Sequence, residues 1–414
     1  MPRGTRCQRS GNRDWLVGKG LGAGVSSRRL CGPPGGRARP TEKAGSAEHP
    51  SVLSEAEKAI KKCRAEIDRI DDRILELLNE RARCNAEIGQ LKASGQATVF
   101  VPDRELEIFE RLEAANPGPF PTRAIRNVFR EIISASVSLQ RGVKVAYLGP
   151  PATYTQQAAI QQFGQMADFH AASTIAEIFE NVESGATEFG VVPVENSNEG
   201  IVSHTLDLFV ESALTICAEV HVAVHHDLLS RSGEPRQVRA VHSHPQALAQ
   251  CRRWLELNLP NVPQYSTHST AMAAELASND DTLAAIASPV AAQLYGLHVV
   301  RSGIEDSPNN TTRFLVIGLT PPKPSTRDIT SLLFSIKRDQ VGALHRALEP
   351  FAVHGVNLTR IESRPTKVRA WEYIFFCDFE GHIEEPNVAK AIEELRSRCD
   401  FVKVMGSYPR AEAP

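Results

Sequence analysis

Three cations carry the first chemical signal in this chain. Arg64, Arg81 and Lys92 lie in a segment where Ile67, Ile70, Ile74, Leu77, Leu78, Cys84, Ile88 and Leu91 recur at spacings of three and four. That period predicts one buried face of a long helix, opening at the capping box formed by Ser54 and Glu57. At roughly 100° per residue, Arg81 falls in the middle of the apolar stripe and Lys92 only about 20° from it. An unpaired cation on a core face is costly, so the pair asks for anions. These are either structural carboxylates in a helix interface or an anionic ligand enclosed by helices. Arg64 lies about 100° around the helix from Arg81. It converges on the same point only if a partner helix brings it there, as in a dimer with shared sites.

A second polar group sits where strands should turn into helices. The corners read Ala152-Thr153-Tyr154-Thr155, Ser243-His244-Pro245-Gln246 and Thr267-His268-Ser269-Thr270. Ser and Thr at such places are ordinary helix caps. Several corners at the carboxyl ends of strands also offer free N–H groups and hydroxyls suited to a carboxylate. Two polar runs join them: Glu195-Asn196-Ser197 directly after a strand, and Asn309-Asn310-Thr311-Thr312-Arg313 directly before one.

The elements that must position these residues fall into three segments. Residues 51–142 read as all helical: the long helix breaks at Ala93-Ser94-Gly95-Gln96-Ala97, a second follows Pro102, and a third runs from near Thr122 to about Gln140. Ser136 and Gln140 stand one turn apart on one side of that third helix. Residues 143–320 alternate strand (Val143–Leu148, Phe189–Val194, Ala240–Val241, Leu283–Ile286, Phe314–Leu319) with helix, which predicts an α/β unit on a mostly parallel sheet. A proline-rich stiff linker covers 321–328. Residues 329–410 follow the order strand, helix, strand, strand, helix, strand, the ferredoxin-like arrangement. Residues 1–50, rich in Arg, Gly, Pro and Ser, read as a disordered extension.

A formal charge of -2 makes no electrostatic case for nucleic acid or a membrane surface. The eight cysteines are scattered, without a C-x-x-C pair or a Cys/His set of metal-ligand spacing. They read as reduced thiols of a cytosolic chain, and neither metal nor cofactor is expected. No apolar run approaches the ~20 residues of a membrane-spanning helix.

These residues, in this order, resemble the bifunctional P-proteins, in which chorismate mutase is fused to prephenate dehydratase and a C-terminal ACT domain. Arg64, Arg81, Lys92, Arg104-Glu105 and Ser136-x-x-x-Gln140 match the mutase pattern. Pro193-Val194-Glu195-Asn196, Ser243-His244-Pro245-Gln246 with Gln250, and Thr312-Arg313-Phe314 match the dehydratase pattern. Gly342-Ala343-Leu344 and Glu362-Ser363-Arg364-Pro365 match the phenylalanine-binding ACT pattern. The resemblance implies an all-α mutase domain forming an intertwined dimer, then a two-lobed, periplasmic-binding-protein-like α/β dehydratase, then an α+β ACT domain.

It also implies roles. Arg81 and a partner's Arg64 clamp the two carboxylates of chorismate, Lys92 and Gln140 donate to the breaking ether oxygen, Glu105 takes the substrate hydroxyl, and Arg104 and Ser136 shape the pocket. In the dehydratase, Thr312 donates or relays a proton to the leaving hydroxyl, with Glu195 as a source. Asn196, Ser243, Gln250, Ser269, Thr270, Arg313 and Phe314 complete that substrate site. The ACT residues bind L-phenylalanine as inhibitor. Two departures stand out. Val101 replaces an aspartate three residues before Arg104-Glu105. Ala152 replaces a turn glycine, so negative φ is expected there. An arogenate dehydratase, or an amino-acid-sensing binding protein without catalysis, are the alternatives.

Overall fold

The computed structural model describes residues 55–93, 102–139, 142–336, 340–365 and 373–411. The chain divides into two compact units, 1–65 and 66–414. The described part of the first is the opening of helix α1 (Glu55–Ala93), whose first turn carries Glu55 and Glu57 at the end that favours anions. Every side chain there, Arg64 included, is exposed.

In the second unit the rest of α1 is followed by α2 (Pro102–Ala115) and α3 (Thr122–Ser138). α2 and α3 pack through buried Phe109, Ile125 and Ile133, and Arg126 grips the Glu113 carboxylate at 2.5 and 2.9 Å. The apolar stripe of α1 departs from expectation. Ile67, Ile74, Leu77 and Leu91 are 55%, 49%, 59% and 76% exposed. With 14 and 17 residues, α2 and α3 are too short to cover a helix of 39.

The α/β part has two lobes. Lobe one takes β1 (Lys144–Leu148), α4 (Tyr154–Phe163), β2 (Asp168–Ala172), α5 (Ile175–Glu183), β3 (Phe189–Asn196), β4 (Gly200–Ile201), α6 (Ser203–Glu211) and β5 (Thr215–Ala223). The chain then crosses into lobe two: β6 (Asp227–Ser230), β7 (Ala240–Ser243), α7 (Pro245–Gln250), α8 (Arg252–Asn258), β8 (Gln264–Ser266), α9 (Thr270–Ser278), β9 (Leu283–Ala287), α10 (Pro289–Tyr295) and β10 (His298–Arg301). It returns with β11 (Thr311–Gly318), which inserts between β3 and β5. The sheet orders are β2-β1-β3-β11-β5, with β4 beside β3, and β10-β6-β9-β7-β8. Both sheets are mixed, not mostly parallel. β11 runs antiparallel to both its neighbours because it re-enters lobe one from the far side of the crossing.

The last domain is β12 (Asp328–Ile336), α11 (Ala343–Val353), β13 (Leu358–Pro365), β14 (Tyr373–Glu380), α12 (Pro386–Arg398) and β15 (Cys399–Pro409), with sheet order β13-β14-β12-β15. The ferredoxin-like expectation holds. One face of this sheet is covered by α11 and α12 through Phe334, Phe351, Phe379 and Leu395. Its other face shares a core with lobe one, where Leu333, Phe376, Met405 and Tyr408 join Leu315, Ile317 and Phe209. At Gly406 an added Cβ would meet the Ile216 carbonyl at 2.5 Å, so only glycine lets the two sheets approach there.

Candidate functional site

A cleft of about 250 Å³ lies between the two lobes. Lobe one contributes Thr153, Tyr154, Asn196, Asn310 and Thr312, and lobe two contributes His226, His244, Gln250, Ser269 and Thr270. Two of the helices that open here, α4 and α9, are capped by Thr153, which accepts from Gln156 N, and by Ser269, which accepts from Met272 N. Among the described residues no Lys or Arg lines the cleft, and its favourable field for an anion comes from helix starts and hydroxyls.

One hydrogen-bonded chain runs across the cleft. Asn196 Nδ2 donates to Thr312 Oγ1 and to Asn310 Oδ1, both at 2.8 Å. Asn310 Nδ2 donates to Gln250 Oε1 at 2.8 Å, and His226 Nε2 reaches the same oxygen at 2.8 Å. His226 Nδ1 lies 3.3 Å from the Tyr154 hydroxyl oxygen, whose one proton is donated to the His225 carbonyl. Burial lowers the His226 pKa against the opposing hydrogen bond from Gln250, which favours the neutral ring with its proton on Nε2. Burial raises the Tyr154 pKa well above its ordinary value, so its phenol stays protonated. Asn196 Oδ1 accepts from the N–H groups of Asn198 and Glu199 at 3.0 and 3.1 Å, which orients its amide. Thr312 Oγ1 is therefore an acceptor toward Asn196, and its own proton is left for a second acceptor.

The strand alternation separates neighbours. Thr312 pairs with Asn196 and Arg313 with Glu195 in the β11–β3 register, and successive side chains on a strand point to opposite faces. Asn196 and Thr312 therefore meet in the cleft, whereas Glu195 faces Arg360 Nε at 3.3 Å. Arg313 is held by Glu219 and Asp378. Phe314 is core, 2% exposed. Ser243 is fully buried, with Oγ donating to the Ile286 carbonyl at 2.6 Å. Glu195, Ser243, Arg313 and Phe314 thus do not line the cleft. Asn196, Gln250, Ser269, Thr270 and Thr312 do. Asn310 lies inside the polar run Asn309–Arg313, whereas nothing in the sequence beyond its residue type marks His226.

Ala152 departs from expectation: its φ is 66°. Its N–H donates to Gln156 Oε1 at 2.6 Å, its carbonyl accepts from Ser288 Oγ at 3.2 Å, and it is buried with Leu229 and Ala271. These contacts hold a left-handed conformation that costs an L-residue about 1–2 kcal/mol.

In the helical segment, Arg81 Nη1 donates to Ser136 Oγ at 2.6 Å, and burial lowers the Arg81 pKa. Glu105 does not converge on that point within one chain. It lines a small space with Ile133, Ser134 and Ser138, and Ser134 and Ser136 lie roughly 200° apart around α3. Burial raises the Glu105 carboxyl to about 7, against the opposing charge of Arg130. Arg104 is exposed and paired with Glu107 at 2.5 Å. Val101, Gln140 and the side chain of Lys92 lie outside the described residues.

In the last domain, Gly342 caps α11 at φ 73°, a conformation suited to glycine, with Ala343 and Leu344 opening the helix. Glu362, Ser363, Arg364 and Pro365 lie on the edge strand β13, and Arg364 pairs with Asp207 of α6 at 3.3 Å.

Comparison with known proteins places these sites in context. Residues 63–141 match the chorismate mutase type II family, 145–322 the prephenate dehydratase family and 330–397 the ACT domain family. A bifunctional chorismate mutase/prephenate dehydratase of Aquifex aeolicus is 50% identical over 356 residues, covering 85% of this chain and 98% of that protein. The structure of prephenate dehydratase from Arthrobacter aurescens in complex with L-Phe aligns at TM-score 0.61 and 34% identity, over 65% of this chain and 90% of that one. A protein described as a quorum-quenching acylase aligns at TM-score 0.60 and 33% identity, over 65% and 98%.

Proposed function

This chain belongs to the bifunctional chorismate mutase/prephenate dehydratase family, and from that premise we propose that it performs both reactions. Its helical segment rearranges chorismate to prephenate, and its cleft converts prephenate to phenylpyruvate, carbon dioxide and water. The observation that carries the second step is the Thr312 hydroxyl, fixed as an acceptor toward Asn196 with its proton left for the cleft. Loss of the ring hydroxyl needs one proton, and loss of carbon dioxide needs none; aromatisation drives both. Thr312 delivers or relays that proton, since a threonine hydroxyl is a poor acid alone. The starts of α4 and α9, with Thr270 and the Gln250 amide, hold the dianion, and His226 and Asn310 orient Gln250 by donating to its Oε1. Glu195 pairs with Arg360 on the opposite face, which speaks against it as the proton source.

The mutase reaction is pericyclic, so the protein's work is to hold the compact conformer and stabilise charge on the ether oxygen. Arg81, Lys92 and Gln140 supply that, with Arg64 from a second copy. The exposed stripe of α1 supports this dimer, because a second helical segment would bury it. The ACT domain binds L-phenylalanine as a feedback inhibitor at Gly342–Leu344 and Glu362–Pro365, a reading supported by the Arthrobacter aurescens complex. A cytoplasmic location fits a biosynthetic enzyme, and among the described residues no helix is long and apolar enough to cross a membrane.

The test is product formation. Purified protein should consume chorismate and should release phenylpyruvate from prephenate, with phenylalanine suppressing the second rate. Faster turnover of arogenate than of prephenate would reassign the cleft to the amino acid substrate. No phenylpyruvate from prephenate would remove the dehydratase reading.

A further inference from the structure

Arg313 stands one residue from Thr312 and opposite Glu195, itself one residue from Asn196. The β11–β3 pairing shifts register between Arg313 and Phe314, a bulge of the kind that re-aims side chains beside active sites. On the face away from the cleft, each nitrogen of the Arg313 guanidinium donates a hydrogen bond. Its Nε donates to Glu219 Oε2 of β5 at 2.7 Å, its Nη1 to Asp378 Oδ2 of β14 at 2.6 Å, and its Nη2 to the Tyr408 hydroxyl of β15 at 3.0 Å. Asp378 Oδ1 accepts from Ser331 at 2.6 Å. Arg360 Nη1 lies 3.7 Å from Asp378 Oδ2, and Arg360 Nε lies 3.3 Å from Glu195. The Asp378 carboxylate of the ACT sheet therefore lies between Arg313 and Arg360, and Arg360 carries the link on to Glu195.

We propose that Arg313 is a positioning residue of the dehydratase site, anchored by Asp378 and Tyr408, and that the ACT sheet thereby sets the aim of the Thr312–Asn196 pair. A strand residue cannot rotate alone: turning Thr312 within β11 turns Arg313 against three bonds whose directions a planar guanidinium fixes. Glu195 and Arg360 restrain Asn196 in the same way. The cleft pair is thus framed by groups from another domain that never touch the substrate.

The inference rests on the dehydratase reading, and its test separates the two. Tyr408→Phe removes one hydroxyl from a fully buried ring and leaves its volume in place. Phenylpyruvate formation from prephenate is measured in the full chain, with chorismate consumption as internal control. Tyr408→Phe removes the bond from Arg313 and the 2.6 Å bond to Ser331 Oγ, and should lower dehydratase kcat about tenfold, the size of a lost bond to a charged group, with KM and mutase rate unchanged. Arg313→Lys, which cannot span three partners, should lose at least as much. In parallel, the 13C shift of the Thr312 methyl should move in Tyr408→Phe without any substrate. Wild-type kcat in folded Tyr408→Phe, with an unmoved Thr312 methyl, overturns the proposal. So does a loss explained wholly by a smaller folded fraction. If Arg313→Lys does not fold, Tyr408→Phe alone decides. A wild-type chain that makes no phenylpyruvate refutes the dehydratase reading, and the methyl shift then still decides the positioning.

Discussion

Replacing Asn196 by aspartate changes one atom type at the centre of the cleft chain. Asn196 is 8% exposed, and its Nδ2 donates at 2.8 Å to both Asn310 Oδ1 and Thr312 Oγ1. After Asn196→Asp an anionic oxygen takes the place of that donor. Its other oxygen still accepts from Asn198 N and Glu199 N, which keep the carboxylate ionised and in place. Asn310 can respond only by turning its amide, which takes Nδ2 off Gln250 Oε1. Thr312 has one proton, and the nearest acceptor becomes the new carboxylate in place of the substrate. Losing a positioned donor costs roughly 10²–10³ in rate, about 3–4 kcal/mol. Asn196→Asp should therefore lower dehydratase kcat by roughly 10²–10³, measured as phenylpyruvate release at saturating prephenate. Chorismate consumption should not change. Thr312→Ser, which keeps the hydroxyl, should retain most activity, and Thr312→Val should match the Asn196→Asp loss. An Asn196→Asp enzyme within about threefold of wild type would refute the proton assignment to Thr312.

Other outcomes follow from the helical segment. Arg81→Ala should cut mutase turnover by roughly 10²–10³ and leave dehydratase turnover intact; equal loss of both activities in folded protein would contradict separate sites. Mixed Arg64→Ala and Arg81→Ala chains should recover mutase activity through hybrid sites with both arginines, and verified heterodimers without recovery would exclude a shared site. Burial lifts Glu105 from 4.5 to about 7, so its contribution is fully present below pH 4.5 and lost as pH rises through about 7. Glu105→Gln should therefore gain stability relative to wild type on going from acid to mild alkali, by up to about 3 kcal/mol. Urea unfolding followed across that range checks the sign, and a pH-independent difference would show that Glu105 is not held protonated.

Much of this protein was determined locally. The helical period of α1, the start of α2 at Pro102 and the βαββαβ order of the last domain are all set by neighbours within a few residues. So are the hydroxyl caps Thr153 and Ser269, because capping bonds a residue to the backbone three positions ahead. Strands such as β5 (Thr215–Ala223) and β6 (Asp227–Ser230) were not legible. They are buried almost throughout, with no clean alternation to mark them.

Tertiary structure decided what depends on facing direction and on distant partners. Whether Glu195 or Asn196 enters the cleft, and Thr312 or Arg313, depends on which face of β3 and β11 meets lobe two. Sequence supplies the alternation without its phase. The insertion of β11 between β3 and β5 joins residues more than a hundred positions apart, such as Asn196 and Thr312. The proline-rich stretch before β12 read as a spacer between modules. Yet Leu333 and Tyr408 complete the core of lobe one, because the second face of the ACT sheet is apolar and must be covered. The stripe of α1 shows the converse limit. Its period announces a buried face, but burial requires a surface, and the described residues of one chain leave that stripe exposed.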